Sequence, residues 1–200
     1  AERVHAGRAK LQRNQELRSV CPRTVRRAKL EHQVSPMEQP SLTFCTTCMG
    51  RLHHLRRTLP ANLALAERFP NVEFVVVDYS SPDEMHEWMM SNCMEQMRSG
   101  RIRYVRVEGR KFFSLSHARN VGFRNATGKL LFNLDADVFL RPGTIEGIYS
   151  GFNQLRPMET AGMLFVDREQ QHLDMWGCMG VHREAYHAVG GYDETFGARW

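Results

Sequence analysis

Residues 116–140 read SHARNVGFRNATGKLLFNLDADVFL, and this stretch decides the fold. Ser116 to Ala126 reads as a helix closed by Thr127-Gly128, and Leu130 to Leu134 as an apolar strand. Asp135 and Asp137 follow directly, two residues apart. On extended backbone that spacing turns both carboxylates to one side. Two carboxylates so close repel unless a cation or hydrogen bonds lie between them. Oxygen-only ligands with open positions suit Mg2+ or Mn2+, completed by phosphate oxygens and water. An Asp-rich turn that only caps backbone amides would carry the same letters, so the pair takes its meaning from its surroundings.

Toward the N-terminus, Val72 to Asp78 (VEFVVVD) is a nearly continuous β-branched run, as a strand buried on both faces requires. Leu42 to Thr47 and Ile102 to Val107 are further strands. Between them, Leu52, Leu55 and Leu59 recur at helical spacing before Pro60, with helix expected up to Phe69. Ser81-Pro82-Asp83-Glu84 opens a helix expected to reach Arg98 and stop at Gly100. Beyond residue 140, Pro142 to Leu155 reads as helix, 161–166 and about 175–181 as strands, and 182–189 as a short helix before a Gly-Gly turn. Alternating strands and helices imply an α/β fold with a mostly parallel sheet and right-handed crossovers. Ligands bind beyond the carboxyl ends of such strands. That rule marks Thr46 to Arg51, Asp78 to Asp83, Arg110 to Ser116, and Asp135 to Asp137.

Two hundred residues suffice for one such domain with a real core. The net charge of +5 invites a nucleic-acid reading, but residues 1–40 hold nine Lys/Arg against four Asp/Glu, while residues 41–200 hold 18 of each. The excess therefore belongs to a basic tail or linker ending at Pro40, and no nucleic-acid partner is expected. Such a tail can touch an anionic membrane surface. No apolar run approaches the ~18 residues that a membrane span needs. Five cysteines in scattered spacing suit a reducing compartment, so a cytoplasmic location, peripheral to a membrane at most, is expected.

The quoted stretch resembles the core signature of family 2 type glycosyltransferases of the GT-A fold, a Rossmann-like architecture. Its elements here are Ala118-Arg119-Asn120, Gly122, Ala126-Thr127-Gly128 and the Asp135–Asp137 pair. TTCMGRLHHLRRTL is similar to the family's first strand-loop-helix, with Arg51 on its usual Arg, although Thr47 stands for Pro and Gly50 for Asn. VEFVVVDYSSPD resembles the second strand, where the family usually reads Val-Asp-Asp-Gly-Ser. VHREAYHAVGGYDETFGARW resembles the acceptor-side segment leading into a Trp-Gly-Gly-Glu-Asp type motif.

The resemblance implies a hexosyltransferase that moves a sugar from a UDP-type donor to a saccharide acceptor, with inversion and a bound Mn2+ or Mg2+. It implies that Thr46, Thr47 and Arg51 line the nucleotide and its phosphates and that Asp78 hydrogen-bonds the uracil. It puts Arg119 and Asn120 toward the donor, Asp135 at the ribose or metal shell, and Asp137 on the metal. The base of an inverting transfer is a carboxylate that takes the acceptor hydroxyl's proton. The resemblance puts it in a Glu-Asp pair after Trp200, with a further metal ligand downstream, so residues 41–200 are expected to be an incomplete catalytic domain. Asp193 and Glu194 are the nearest acids, and turn formation explains them better. Trp176 is a candidate for stacking on an acceptor sugar.

Two rival functions deserve tests of their own. A sugar-phosphate nucleotidyltransferase would also need paired carboxylates and a cation, but the usual Gly-rich phosphate loop after the first strand is missing. A thiol redox or binding module would use Cys45 and Cys48, spaced Cys-x-x-Cys between a strand and a helix. His117 beside the candidate site reads as an exposed helix-start residue, and Arg101, Arg103 and Arg106 as a solvent edge.

Overall fold

In the computed structural model, residues 41–154, 164–165 and 178–195 are described. The basic segment 1–40 and Trp176 lie outside them. β1 (Leu42–Cys48) leads into α1 (Leu52–Ala66), and β2 (Val72–Tyr79) into α2 (Met85–Asn92) and α3 (Met94–Arg98). β3 (Ile102–Val107), α4 (Leu115–Arg124), β4 (Leu130–Asn133) and α5 (Thr144–Gln154) follow. β5 (Leu164–Phe165), β6 (Met179–His182) and α6 (Arg183–Ala188) complete the order. None of these helices is long and apolar enough to cross a membrane.

The helix expected over 81–98 is a correction: it starts at Met85 and breaks at Cys93, whose φ of −120° and ψ of 8° leave the helical well. Asn92 Nδ2 donates to the Trp88 carbonyl at 2.9 Å, competing for an acceptor that the helical ladder uses.

The six described strands form one sheet in the order β3-β2-β1-β4-β6-β5. β1 pairs in parallel with both β2 and β4, and β2 in parallel with β3. β6 runs antiparallel to both β4 and β5, so the sheet is mostly parallel with one reversed strand. The chain moves outward from β1 to β3 and returns on the other side of β1 as β4. The switch point of this topology therefore lies between the carboxyl ends of β1 and β4, where such sheets open a crevice.

Alternation along the strands divides the core between the two faces. One face buries Leu42, Phe44, Phe74 and Phe132 under Leu52, Leu55 and Leu59 of α1, Met85 and Met89 of α2, and Ile145 and Phe152 of α5. The other buries Cys45, Val75, Val77, Tyr79 and Leu131 under Ala118 and Phe123 of α4 and Tyr186 of α6.

At the amino ends of the strands, Thr127-Gly128 serves as a clasp. Glu73 Oε1 accepts from Thr43 Oγ1 at 2.6 Å and from Thr127 N and Oγ1 at 2.6 and 2.8 Å. Burial pushes the Glu73 carboxyl up, but these bonds and Arg103 outweigh it and hold its pKa below the usual value. Gly128 N donates to Thr43 Oγ1 at 2.9 Å, bringing the start of β4 against β1.

Candidate active site

The Asp135–Asp137 segment is a turn, which corrects the extended backbone expected for it. β4 ends at Asn133, and Val138 N donates back to the Asp135 carbonyl at 3.0 Å. The period-2 argument for aiming both carboxylates one way therefore does not apply here. What aims the turn is α1. Thr58 Oγ1 donates to the Ala136 carbonyl at 2.7 Å. Asn62 Nδ2 donates to the Val138 carbonyl at 3.0 Å, and Asn62 Oδ1 accepts from Leu140 N at 2.7 Å. Both side chains are 3% exposed, so these bonds are sheltered from competing water. Leu134 N, bonded to the Cys45 carbonyl at 2.9 Å, anchors the turn's other end to β1.

Within this frame Asp135 is half-buried and Asp137 exposed. Burial pushes the Asp135 carboxyl above its ordinary range, Arg119 opposes that shift, and neighbouring Asp137 adds to it. Arg119 Nη2 lies 3.5 Å from Asp135 Oδ1, and the guanidinium sits over the Tyr192 ring, 5.8 Å from its centroid. Buried Cys178, just before β6, faces the Asp135 backbone amide.

The loops after β1 and β2 form the opposite wall. Thr47 is partly exposed on the α4 side, whereas Thr46, 4% exposed, is turned inward. Arg51 is exposed at the start of α1. Asp83 Oδ2 caps that helix from 31 residues away, accepting from Leu52 N at 2.9 Å. Asp78 is 1% exposed; its Oδ1 accepts from Ser81 N at 2.8 Å and its Oδ2 from Tyr104 Oη at 2.7 Å. Arg106 Nε stands 3.7 Å from the same Oδ2. A ligand N–H would have to share these oxygens.

Ser80 holds φ at 53°, a left-handed backbone uncommon outside glycine. Its N–H and its hydroxyl both donate to the Val107 carbonyl at 2.8 Å, and its Oγ accepts from Arg110 N at 2.9 Å. His117, expected to be exposed, is instead partly buried between two loops. Arg110 Nη2 lies 3.3 Å from its Nε2 and Tyr79 Oη 2.9 Å from its Nδ1. A guanidinium only donates, so Nε2 accepts and the ring proton is assigned to Nδ1.

Two expectations need correcting, those for Asn120 and Arg101. Asn120 does not face a ligand: it is 0% exposed, and its amide is occupied by Tyr186 Oη, Tyr192 N and O, and Glu194. Asp193 and Glu194 sit in a turn, the reading preferred for them above: Asp193 Oδ1 accepts from Thr195 N at 2.8 Å, and Glu194 pairs with Arg124 at 3.7 Å. Arg101 is not a solvent-edge residue like Arg103 and Arg106, because it donates to the Ala66, Phe69 and Val72 carbonyls beneath β3. Cys45 and Cys48 do not form a redox pair, since they lie in the cores of opposite faces. Burial raises the Cys45 thiol pKa well above its ordinary value and pushes that of Cys48 up to about 12. Iodoacetamide at neutral pH is accordingly expected to leave both unmodified in the folded chain and to label both in urea, as peptide mass spectrometry would report. Rapid labelling of the native chain would refute this.

Thr58, Asn62, Tyr104 and Tyr192 were not anticipated. Thr58 and Asn62 left a trace in the sequence, being polar and four apart on the face that also carries Leu55 and Leu59.

The family model described as Glycosyl transferase family 2 matches residues 43–169. No curated protein sequence matches the chain. Among solved structures, the chain is similar to mannosyltransferase PcManGT from Pyrobaculum calidifontis in complex with GDP-Man and Mn2+. The TM-score is 0.62 at 21% identity, covering 82% of this chain and 50% of that one. It is also similar to S. aureus TarS 1-349, with a TM-score of 0.56 at 13% identity, covering 80% and 52%. The UDP complex of that protein gives a TM-score of 0.57 at 13% identity, with the same coverage. The chain thus spans about half the length of these structures. Such identities speak for the fold, and the family match, over more than half of the chain, speaks for the lineage. This chain belongs to glycosyl transferase family 2 and has the α/β architecture of the GT-A fold.

Proposed function

We propose that this glycosyltransferase takes its sugar from a UDP-type donor, with a divalent cation at Asp135 and Asp137, and passes it with inversion to a saccharide acceptor. The observation that carries the reading is the Asp135–Asp137 turn, fixed by α1 at the switch point with Arg119 against it. The donor set fits Mn2+ or Mg2+. Among the described residues no third acid, histidine or cysteine joins the two carboxylates, which leaves positions for phosphate oxygens and water. When bound, such a cation offsets the charge that gathers on a departing diphosphate. GDP-Man with Mn2+ in the Pyrobaculum calidifontis mannosyltransferase supports a nucleotide-sugar donor with a divalent cation, and UDP in the TarS complex supports the uridine base.

The chain's own residues would divide the work. Arg119 presents a planar fork suited to a phosphate or to Asp135. Thr47 and Arg51 line the nucleotide side, and Asp78 offers its remaining lone pairs to a base N–H. Inversion requires the acceptor oxygen to attack the anomeric carbon as the bond to the diphosphate breaks, its proton passing to a carboxylate. Asp193 and Glu194 are bound into their turn, so neither is assigned that proton.

Calorimetric titration with UDP tests this. Mn2+ is expected to tighten UDP at least tenfold, about 1.4 kcal/mol, and Asp137→Ala to abolish that gain. A parallel titration with GDP examines the choice of base. UDP affinity indifferent to both Mn2+ and Asp137 would end the proposal.

A further inference from the structure

We propose that Tyr192 is a positioning residue of the donor site, holding Arg119 in the orientation that meets Asp135. This rests on the donor-site reading above, but its physical basis is independent of any ligand. After α6, Gly190 and Gly191 turn the chain back with φ of 81° and 87°. A Cβ on Gly191 would lie 2.8 Å from both Asn120 Oδ1 and Tyr186 Oη, so only glycine lets the turn settle onto Asn120. The Asn120 amide then grips the next residue on both sides. Its Oδ1 accepts from Tyr192 N at 2.8 Å, and its Nδ2 donates to the Tyr192 carbonyl at 2.9 Å.

The backbone of Tyr192 is thereby fixed, and its side chain is fixed as well. Asn133 Nδ2, at the carboxyl end of β4, donates to the phenol oxygen. The ring lies tilted against Phe123, with centroids 5.9 Å apart, and its face supports the Arg119 guanidinium. Arg119 is 13% exposed, and an arginine side chain has many rotamers from which to choose. The tyrosine face narrows that choice to the one aimed at Asp135. A turn more than 50 residues downstream of Asp135 thus sets the counter-charge of the carboxylate that meets the donor. Asn120, which binds no ligand itself, is the base of this support.

The bland alternative is that Tyr192 only fills space beside Phe123 and Tyr186. Two measurements on the full chain separate the readings. The first is 15N NMR of the Arg119 Nε–H without ligand. An ordered, ring-shifted signal is expected in the parent protein, retained in Tyr192→Phe and lost in Tyr192→Leu. The second is UDP affinity in the presence of Mn2+. Tyr192→Leu is expected to weaken it about tenfold, Tyr192→Phe to restore it, and Tyr192→Leu to add nothing once Arg119→Gln is present. Tyr192→Met, unbranched and better able to fill an irregular gap, replaces the leucine variant if that one does not fold. An unchanged Arg119 signal in Tyr192→Leu, or losses that simply add, would overturn the inference. A parent protein that shows the ring-dependent Arg119 signal yet binds no UDP with Mn2+ would sink the donor reading and leave the positioning role standing.

Discussion

Gly128→Ala is expected to cost the domain about 3 kcal/mol, near the top of the range for overpacking a tight site. The added methyl carbon would lie 2.5 Å from Thr43 Oγ1, 2.7 Å from Thr43 N and 3.0 Å from the Leu130 carbonyl. Two of these three atoms are backbone in neighbouring strands, and neither can retreat without opening the β1–β4 ladder. The third is the hydroxyl that joins Gly128 N to Glu73. A loss of that size lowers the melting temperature of a domain this large by roughly 10 °C. Gly147→Ala is the control, since it lies within α5 and a Cβ there meets nothing within 4 Å. It should be neutral or stabilising by up to about 1 kcal/mol. Thermal and urea denaturation of the two variants compare them directly. Equal stabilities would show that the clasp at the amino ends of the strands is loose.

Asn62→Leu carries the second large effect. It removes at once the donor to the Val138 carbonyl and the acceptor for Leu140 N, and among the described residues neither backbone group has another partner. Stranding two sheltered polar groups costs about 3 kcal/mol together. The same change frees the turn bearing Asp137, so the gain in UDP affinity from Mn2+ should fall about tenfold, as misplacement of a supporting shell does for metal sites. Thr58→Val, one turn earlier, loses only the bond to the Ala136 carbonyl and should cost about 1 kcal/mol. The two losses share one segment and should not add when combined. A full Mn2+ response in a destabilised Asn62→Leu would separate stability from site geometry and refute the link.

The parallel half of the fold was legible because its strands are buried on both faces and announce themselves as apolar runs. VEFVVVD became β2, and LLFN within the quoted stretch became β4. The rule that ligands sit past the carboxyl ends marked the loops holding Thr47, Asp78 and Asp135 without any tertiary information, whereas Arg119 entered through the family resemblance. What stayed hidden depends on partners distant in sequence. The chain bends at Asp135 because α1 holds the carbonyls beyond it, a contact 78 residues long that no local spacing reveals. Asn120 sits in a motif that suggests ligand contact, yet its amide serves a turn 72 residues later. The reversal of β6 likewise follows from its pairing with β4, since a four-residue apolar run carries no sign of its direction.

Ser80 has a consequence for anyone wishing to redesign the loops of this domain. Its left-handed backbone and three hydrogen bonds weld the loop following β2 to the one following β3. Grafting a foreign specificity loop at either place alone would meet a mismatched partner, so residues 78–83 and 107–110 should be exchanged together, as a single cassette.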